Sequence, residues 1–251
     1  MSHSKLSKIG IIGTQCVGKS TLVDDMRLQW PMLNKPEKTY RDLIKEKKLT
    51  VNKEGTKESQ DVILNYLIDE AMANYGDKKM VFDRTPIDNL VYSLWLYEKG
   101  LGDINEAYID KVVAAVRESV KFYSVIFYIP LTKENDVLLT QKENRDIDPV
   151  YRGEIGVLFD TIYRAWLTGR SRFFETEDCP PIIPIYGSQL ERIAMMSLYI
   201  NNKCEFYGEE DSLIAKDLTE QELITHKLIQ DQLAAPGGKG KKQSKKSKYN
   251  I

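Results

Sequence analysis

The sequence predicts an α/β protein in which helices cover both faces of a mostly parallel sheet. Four short, almost wholly apolar runs lie at residues 8–13, 79–83, 124–130 and 181–187. Segments with helical periodicity lie between them, among them TKESQDVILNYLIDEAMANYG and NEAYIDKVVAAVRESVKFY. Apolar strands that alternate with helices are typical of a parallel sheet buried on both faces. Ligands of such sheets bind beyond the carboxyl ends of the strands, so the residues after each run are candidate site residues.

The first apolar run leads into GIIGTQCVGKSTL, which contains the pattern Gly-x-x-x-x-Gly-Lys-Ser. The glycines let successive backbone N–H groups face one anion, and the helix that follows adds its N-terminal dipole. Lys19 can reach the β- and γ-phosphates of a nucleotide, and the Ser20 hydroxyl can ligate Mg²⁺. A strand, this loop and a helix predict a P-loop NTPase, a three-layer sandwich. The candidate nucleotide-binding residues are Gly13, Thr14, Gln15, Cys16, Val17, Gly18, Lys19, Ser20 and Thr21.

The second apolar run ends in FDRTPIDN. Asp83 is a Walker-B-like carboxylate that would hold Mg²⁺ through water or orient the acceptor, and Arg84 would bind an acceptor group or a phosphate. The alternative is a solvated strand end or an internal Asp–Arg salt bridge. A helix follows, with Thr85 as its N-cap. Asp88, one turn into this helix, either faces the same cleft or only favours the helix N-terminus electrostatically.

The segment NKPEKTYRDLI lies between the first two long helices. Glu37 and Arg41 are four residues apart, a spacing that predicts a shared helical face. Two interpretations stay open at this point. The pair is either a local ion pair, or Glu37 is a general base near the acceptor with Arg41 beside it.

After the third run, a segment rich in charge carries Lys142, Arg145 and Arg152. These cations predict a lid, at about 132–155, that closes over the phosphates and neutralises charge during transfer. An ordinary charged helix surface is the alternative. The fourth run ends in YGSQLERIAMM, where a glycine opens a helix that carries Arg192. By position this loop would border the base of the nucleotide.

The alternation of apolar runs with helical segments changes near residue 217. We predict a main domain over 1–205, a helical extension over 206–236 with a capping box at Thr219 and Glu222, and a disordered Lys-rich tail over 237–251. The last 13 residues hold six lysines and no acid, which leaves 30 basic against 37 acidic residues in the rest of the chain. The tail is either a solvated solubility segment or a salt-sensitive contact with DNA.

The composition excludes several classes of protein. No apolar run approaches the roughly 18 residues of a membrane span. The three cysteines, Cys16, Cys179 and Cys204, have no metal-like spacing and predict free thiols in a reducing cytoplasm.

Together the motifs GTQCVGKST, PEKTYRDLI, FDRTPIDNLVYS and NRDIDPVYRGEI, followed by GSQLERI, resemble the P-loop kinases. The likeness is to the AAA-type kinase domain associated with nicotinamide riboside phosphorylation and, more distantly, to deoxynucleoside and thymidylate kinases. It covers about residues 8–200. The resemblance implies a kinase with ATP and Mg²⁺ at the P-loop. It also implies an acceptor between Glu37, Asp83 and Arg84, and lid residues Arg145 and Arg152.

Three functions stay open. The first is a kinase of a nucleoside, a nucleotide or nicotinamide riboside, in which Asp83 or Glu37 takes the hydroxyl proton. If the acceptor is already a phosphate, no base is needed and Arg84 grips that phosphate. The second is a kinase of a hydroxymethylated base, such as 5-hydroxymethyluracil, flipped out of DNA. The third is a GTPase switch or motor ATPase, which the chain disfavours because Asn-Lys-x-Asp is missing and the second run ends in Asp-Arg. The sequence also leaves open whether the protein forms a homodimer.

Overall fold

The computed structural model describes residues 7–132, 148–175 and 179–206. Five parallel strands form one sheet in the order β2-β3-β1-β4-β5. They are β1 (Lys8–Ile12), β2 (Leu33–Asn34), β3 (Lys79–Asp83), β4 (Val125–Tyr128) and β5 (Ile182–Pro184). The four predicted runs and the parallel sheet are confirmed. The edge strand β2 has two residues, too few for an apolar run to reveal it.

Seven α-helices lie in the described residues. They are α1 (Lys19–Gln29), α2 (Tyr40–Lys47), α3 (Lys57–Met72), α4 (Pro86–Lys99), α5 (Glu106–Val120), α6 (Pro149–Leu167) and α7 (Gln189–Met196). A 3₁₀ turn at Asn52–Glu54 precedes α3. The predicted N-cap of α4 is confirmed at Thr85, with Pro86 in the first turn, and the helix ends before Gly100, which has φ 64°.

Alternating side chains of the central strands enter two separate cores. Ile9, Ile11 and Phe127 pack with residues of α1 and α7 on one face of the sheet. Ile126 and Tyr128 pack with residues of α4, α5 and α6 on the other. Successive residues of a strand point to opposite faces, so a strand buried on both sides reads as a continuous apolar run. The predicted three-layer sandwich is confirmed.

Several sequence-based predictions fall outside the described residues. Residues 133–147, which include Lys142, Arg145 and most of the predicted lid, are not described, and neither are the helical extension and the Lys-rich tail beyond Phe206. Within the ranges that the structure does describe, no helix has both the length and the apolar character needed to cross a bilayer.

Candidate active site

The loop between β1 and α1 adopts a conformation that suits anion binding. Gly13 has φ 144°, and a Cβ there would lie 2.6 Å from the carbonyl oxygen of Ile129, the residue after β4, so this close approach requires glycine. Gly18 at φ 88° caps the start of α1, and Cys16 has φ 58° despite its side chain. Left-handed residues between right-handed ones make successive N–H groups converge, which is how P-loops cradle phosphates.

Two buried arginines hold the same loop from outside. Arg152 of α6 donates from Nε to the Gln15 carbonyl at 3.2 Å and from Nη2 to the Cys16 carbonyl at 3.0 Å. Arg192 of α7 donates from Nη1 to the Val17 carbonyl at 2.7 Å. Three consecutive carbonyls are thereby satisfied on the outer side of the loop. This fixes the peptide planes whose N–H groups would face a bound anion.

These contacts bear on two predictions. Arg152 lies against the backbone of the P-loop, while its role as a lid residue over the phosphates stays a prediction. Arg192 also donates from Nε to the Gly187 carbonyl at 2.9 Å, so its guanidinium joins the P-loop to the loop before α7. Burial lowers the pKa of this guanidinium. The position of the nucleotide base near Gly187 stays a prediction.

Lys19 is buried at the start of α1. Its Nζ donates to the Gly13 and Thr14 carbonyls at 2.5 and 2.7 Å. Burial, followed by the nearby charge of Arg84, lowers the pKa of Lys19 to about 8. The ammonium is therefore charged at neutral pH, next to the N–H groups that would face a phosphate chain.

Ser20 and Asp83 meet at the carboxyl edge of the sheet. The Ser20 hydroxyl donates to Asp83 Oδ2 at 2.5 Å, which joins the start of α1 to the end of β3. A hydroxyl and a carboxylate are hard oxygen donors of the kind that Mg²⁺ takes beside nucleotide phosphates. The two residues singled out as metal ligands are thus brought together, and their donor set fits Mg²⁺.

Arg84 follows Asp83, but its side chain lies between residues of α2 and α4. Its backbone has φ 95°, an uncommon conformation for a residue with a side chain. Its guanidinium lies 4.4 Å from the ring centre of Tyr40 and 5.0 Å from that of Tyr92, and donates to the Tyr40 hydroxyl at 3.1 Å. The side chain is only 10% exposed, and its Nε has no hydrogen-bond partner within the described residues.

Asp88 performs both of the roles that the sequence left open. Its Oδ2 accepts from the Thr85 N–H at 2.9 Å, which closes the capping box of α4. Its Oδ1 lies 3.4 Å from Arg84 Nη1, and its side chain lines the adjacent cavity. Burial raises the pKa of Asp88 to about 6. Arg84 thus forms an internal ion pair, but with Asp88 and not with Asp83, which contacts Ser20.

Beside Arg84, a cavity of about 380 Å³ opens between α2, α3 and α4. One part of its wall is apolar and includes Ile44, Ile63 and Leu67. Another carries carboxamides, of which Asn89 Nδ2 donates to Gln60 Oε1 at 2.9 Å. Apolar walls with a few placed polar groups are typical of small-molecule sites of this size.

Tyr92 connects this cavity to the P-loop. Its side chain lines the cavity, and its hydroxyl donates to Gln15 Oε1 at 2.9 Å. The Thr14 hydroxyl lies 3.0 Å from the same oxygen. A molecule in the cavity and an anion in the P-loop would therefore be separated by a shared wall.

One sequence-based prediction about this region is wrong. Glu37 and Arg41 do not share a helical face, because Thr39 caps α2 and the helix begins at Tyr40. Glu37 is exposed before the helix and is not part of the cavity wall, whereas Arg41 lines the cavity. The proposed role of Glu37 as a base stays a prediction.

Several side chains of the site were missed from the sequence. Tyr92 lies four residues after Asp88 on α4, so helical periodicity from Asp88 contained a usable signal for it, whereas Asn89, one residue after Asp88, had no such signal. The sequence contained no such signal for Tyr40 and Gln60, because they come from helices whose packing is set by tertiary contacts.

With the geometry in place, comparison with known proteins gives the family. A family model described as an AAA domain matches residues 8–169, and the chain belongs to this family. No curated protein sequence matches the chain significantly. The described fold is that of P-loop nucleoside and nucleotide kinases, so the resemblance found in the motifs is confirmed at the level of fold.

Three solved structures illustrate that fold. Thymidylate kinase from Candida albicans has a TM-score of 0.56 and 13% identity, with 83% of this chain and 97% of that chain covered. Deoxyadenosine kinase from M. mycoides has a TM-score of 0.54 and 14% identity, with 75% and 95% covered. The NadR protein in complex with NR has a TM-score of 0.52 and 12% identity, with 82% and 54% covered. The chain thus spans about half the length of NadR.

Proposed function

We propose that the protein is a kinase that transfers the γ-phosphoryl group of ATP to a nucleoside- or nucleotide-like acceptor in the cavity between α2, α3 and α4. One observation carries this proposal. The adjacent residues Asp83 and Arg84 serve two different regions, since Asp83 contacts Ser20 of the P-loop and Arg84 lines the cavity. Donor and acceptor would meet at this point, the carboxyl end of β3. The kinase folds among the similar structures support the same interpretation.

The residues at the P-loop suit ATP and Mg²⁺. Lys19 and the N–H groups of the loop would bind the β- and γ-phosphates, and Ser20 with Asp83 would hold the metal ion. Bound Mg²⁺ neutralises phosphate charge and orients the group that is transferred. The chain itself supplies position: Arg152 and Arg192 fix the loop, and Arg84 fixes the acceptor. Phosphoryl transfer depends mostly on such positioning and on electrostatic stabilisation.

The function of a GTPase switch or a motor ATPase explains the site less well. Neither class needs a cavity of about 380 Å³ that shares Tyr92 with the P-loop. A polymer acceptor, such as a hydroxymethylated base in DNA, keeps the same chemistry. It was motivated by the helical extension and the Lys-rich tail, which lie outside the described residues. We therefore treat it as an outcome that the experiment distinguishes.

The test uses ATP labelled at the γ-phosphate, with Mg²⁺ and the full chain. One set of reactions contains free nucleosides, nucleoside monophosphates and nicotinamide riboside, and a parallel set contains duplex DNA with 5-hydroxymethyluracil. We expect label in a small molecule, and none with Lys19→Met. Label only in DNA would move the acceptor to the polymer. ATP hydrolysis without transfer to either set would contradict a kinase function.

A further inference from the structure

The side chains that line the acceptor cavity carry an excess of positive charge. Arg41, Lys45 and Arg84 contribute three cations, whereas Asp88 is the single carboxylate among the described residues of the wall. Arg41 and Lys45 lie one turn apart on exposed positions of α2 and form no ion pair within the part of the chain that the structure describes. A concave surface with this charge favours an anionic ligand.

Arg84 has donor capacity that the protein does not use. A guanidinium offers five N–H donors in a rigid fork that suits phosphate. Here one contact goes to the Tyr40 hydroxyl, a long one of 3.4 Å goes to Asp88, and a further side-chain interaction is made with Tyr92. Nε is buried without a partner in the described residues, although a buried donor normally has one. The rings of Tyr40 and Tyr92 lie close to the guanidinium and restrict the space in which it can move.

Among the described residues, the one carboxylate of the cavity wall is already engaged. Both oxygens of Asp88 are engaged, one by the Thr85 N–H and the other by Arg84. Asp83 contacts Ser20, and Glu37 is exposed outside the wall. Phosphorylation of a hydroxyl requires that its proton be taken up, usually by a placed carboxylate. Phosphorylation of a phosphate does not.

We propose that the acceptor carries its own phosphate monoester, as a nucleoside monophosphate does, with that phosphate on Arg84 and Arg41 and the base against the apolar and carboxamide wall. This inference rests on the proposed kinase function and specifies its substrate class. A phosphate oxygen of the acceptor attacks the γ-phosphorus of ATP and forms a new P–O bond. The bond from that phosphorus to the β-phosphate oxygen breaks, and ADP leaves with the electron pair. The same cations disfavour nicotinamide riboside, whose ring is itself cationic.

Proton balance separates the two acceptor classes. At a pH of about 8 a phosphate monoester is a dianion, because its second pKa is near 6. Transfer to it conserves charge and releases no proton. Transfer to a hydroxyl releases one proton for each phosphoryl group moved, and so does hydrolysis of ATP at this pH.

The experiment compares matched acceptor pairs. Each common ribo- and deoxyribonucleoside is offered beside its 5′-monophosphate, and nicotinamide riboside beside its mononucleotide, with labelled ATP and Mg²⁺. Labelled products are separated by chromatography, and proton release is followed in weakly buffered solution at a pH of about 8. We expect label in a nucleoside diphosphate or its analogue, without stoichiometric proton release, and at least about tenfold lower rates with the unphosphorylated partner.

Two variants of α2 test where the phosphate of the acceptor binds. Arg41→Met removes a cation that lines the cavity, and Lys47→Met removes an exposed cation of the same helix that does not. We expect Arg41→Met to raise the KM for the monophosphate by about fivefold and to leave the KM for ATP unchanged. Lys47→Met should change neither by more than about twofold. Equal effects of the two variants would contradict the placement on Arg41.

The outcomes are distinct. Label only in nucleosides, with one proton for each transfer, would overturn this inference and leave the kinase function intact. Label only in the hydroxymethylated DNA of the parallel reactions described under the proposed function would do the same. Failure of transfer to any acceptor would remove the kinase function, and with it the inference that depends on it.

Discussion

The P-loop and the acceptor cavity are built in different ways. The loop is determined by its backbone: glycine is required at Gly13, and Arg152 and Arg192 bind three consecutive carbonyls from outside. The cavity is determined by side chains of three helices that meet beside Arg84. The first region presents N–H groups of a kind that suits any phosphate chain. The second presents a particular arrangement of cations, carboxamides and apolar surface, so we expect substrate specificity to arise there.

The largest expected effect comes from a substitution that changes the P-loop and leaves the cavity unchanged. Lys19→Met removes the buried ammonium at the P-loop while leaving the cavity unchanged. We expect transfer to fall by about a thousandfold, because the loss removes a preorganised positive group from the transferred phosphate. Label transfer measures the rate, and circular dichroism checks that the fold is kept. A loss of acceptor binding in calorimetry would show that the regions are not separable in this way.

The next effect tests the metal site at the junction. Asp83→Asn keeps the size of the side chain but removes the negative charge beside Ser20. We expect kcat to fall by about a hundredfold, with the Kd for an ATP analogue changed by less than about threefold. Retention of near-wild-type kcat would mean that Asp83 has no part in the transfer.

A smaller effect tests the external support of the loop. Arg192→Met leaves the Val17 and Gly187 carbonyls without their donor. Hydrogen bonds to charged groups contribute about 1.5–3 kcal/mol, so ADP should bind about tenfold more weakly and the Tm should fall by about 5 °C. Arg170→Met, at an exposed position, is the matched control and should change neither. An unchanged Kd in Arg192→Met would assign Arg192 to stability alone.

The smallest expected effect is a shift in pH dependence, because the charge of Asp88 in the cavity acts on Lys19 at the P-loop. Lys19 is charged below its pKa of about 8, so kcat/KM for ATP should fall as the pH rises above that value. The negative charge of Asp88 raises the pKa of Lys19 across the site. Asp88→Asn should therefore move this fall to lower pH. A pH profile unchanged by Asp88→Asn would show that the carboxylate does not act on Lys19.

The same contrast explains what could be predicted from the sequence. The P-loop was predictable residue by residue, because Gly13 to Ser20 are contiguous and their role follows from backbone conformation. Asp83 and Arg84 were predictable because they end an apolar run, and strand ends meet at one edge of a parallel sheet. Glu37 was placed incorrectly because the start of α2 depends on the Thr39 capping box, which the spacing to Arg41 ignored.

The cavity was not predictable in the same way. Tyr40 and Gln60 come from α2 and α3, and nothing local in either helix indicates that the two helices face α4 across a cavity. The outward contacts of Arg152 and Arg192 were missed for the same reason. Their partners are backbone carbonyls distant in sequence, and a carbonyl has no residue-specific signal.

The central claim is that the acceptor binds in this cavity while ATP binds separately at the P-loop. Ile44 lines the cavity from α2 at a half-buried position, so Ile44→Trp would obstruct part of the cavity without replacing a fully buried side chain. The decisive measurement is label transfer by this variant, together with the Kd of an ATP analogue and the Tm. The account predicts at least about a hundredfold loss of transfer, with the Kd within about twofold of wild type. Transfer at the wild-type rate would contradict it, because the acceptor would then bind elsewhere.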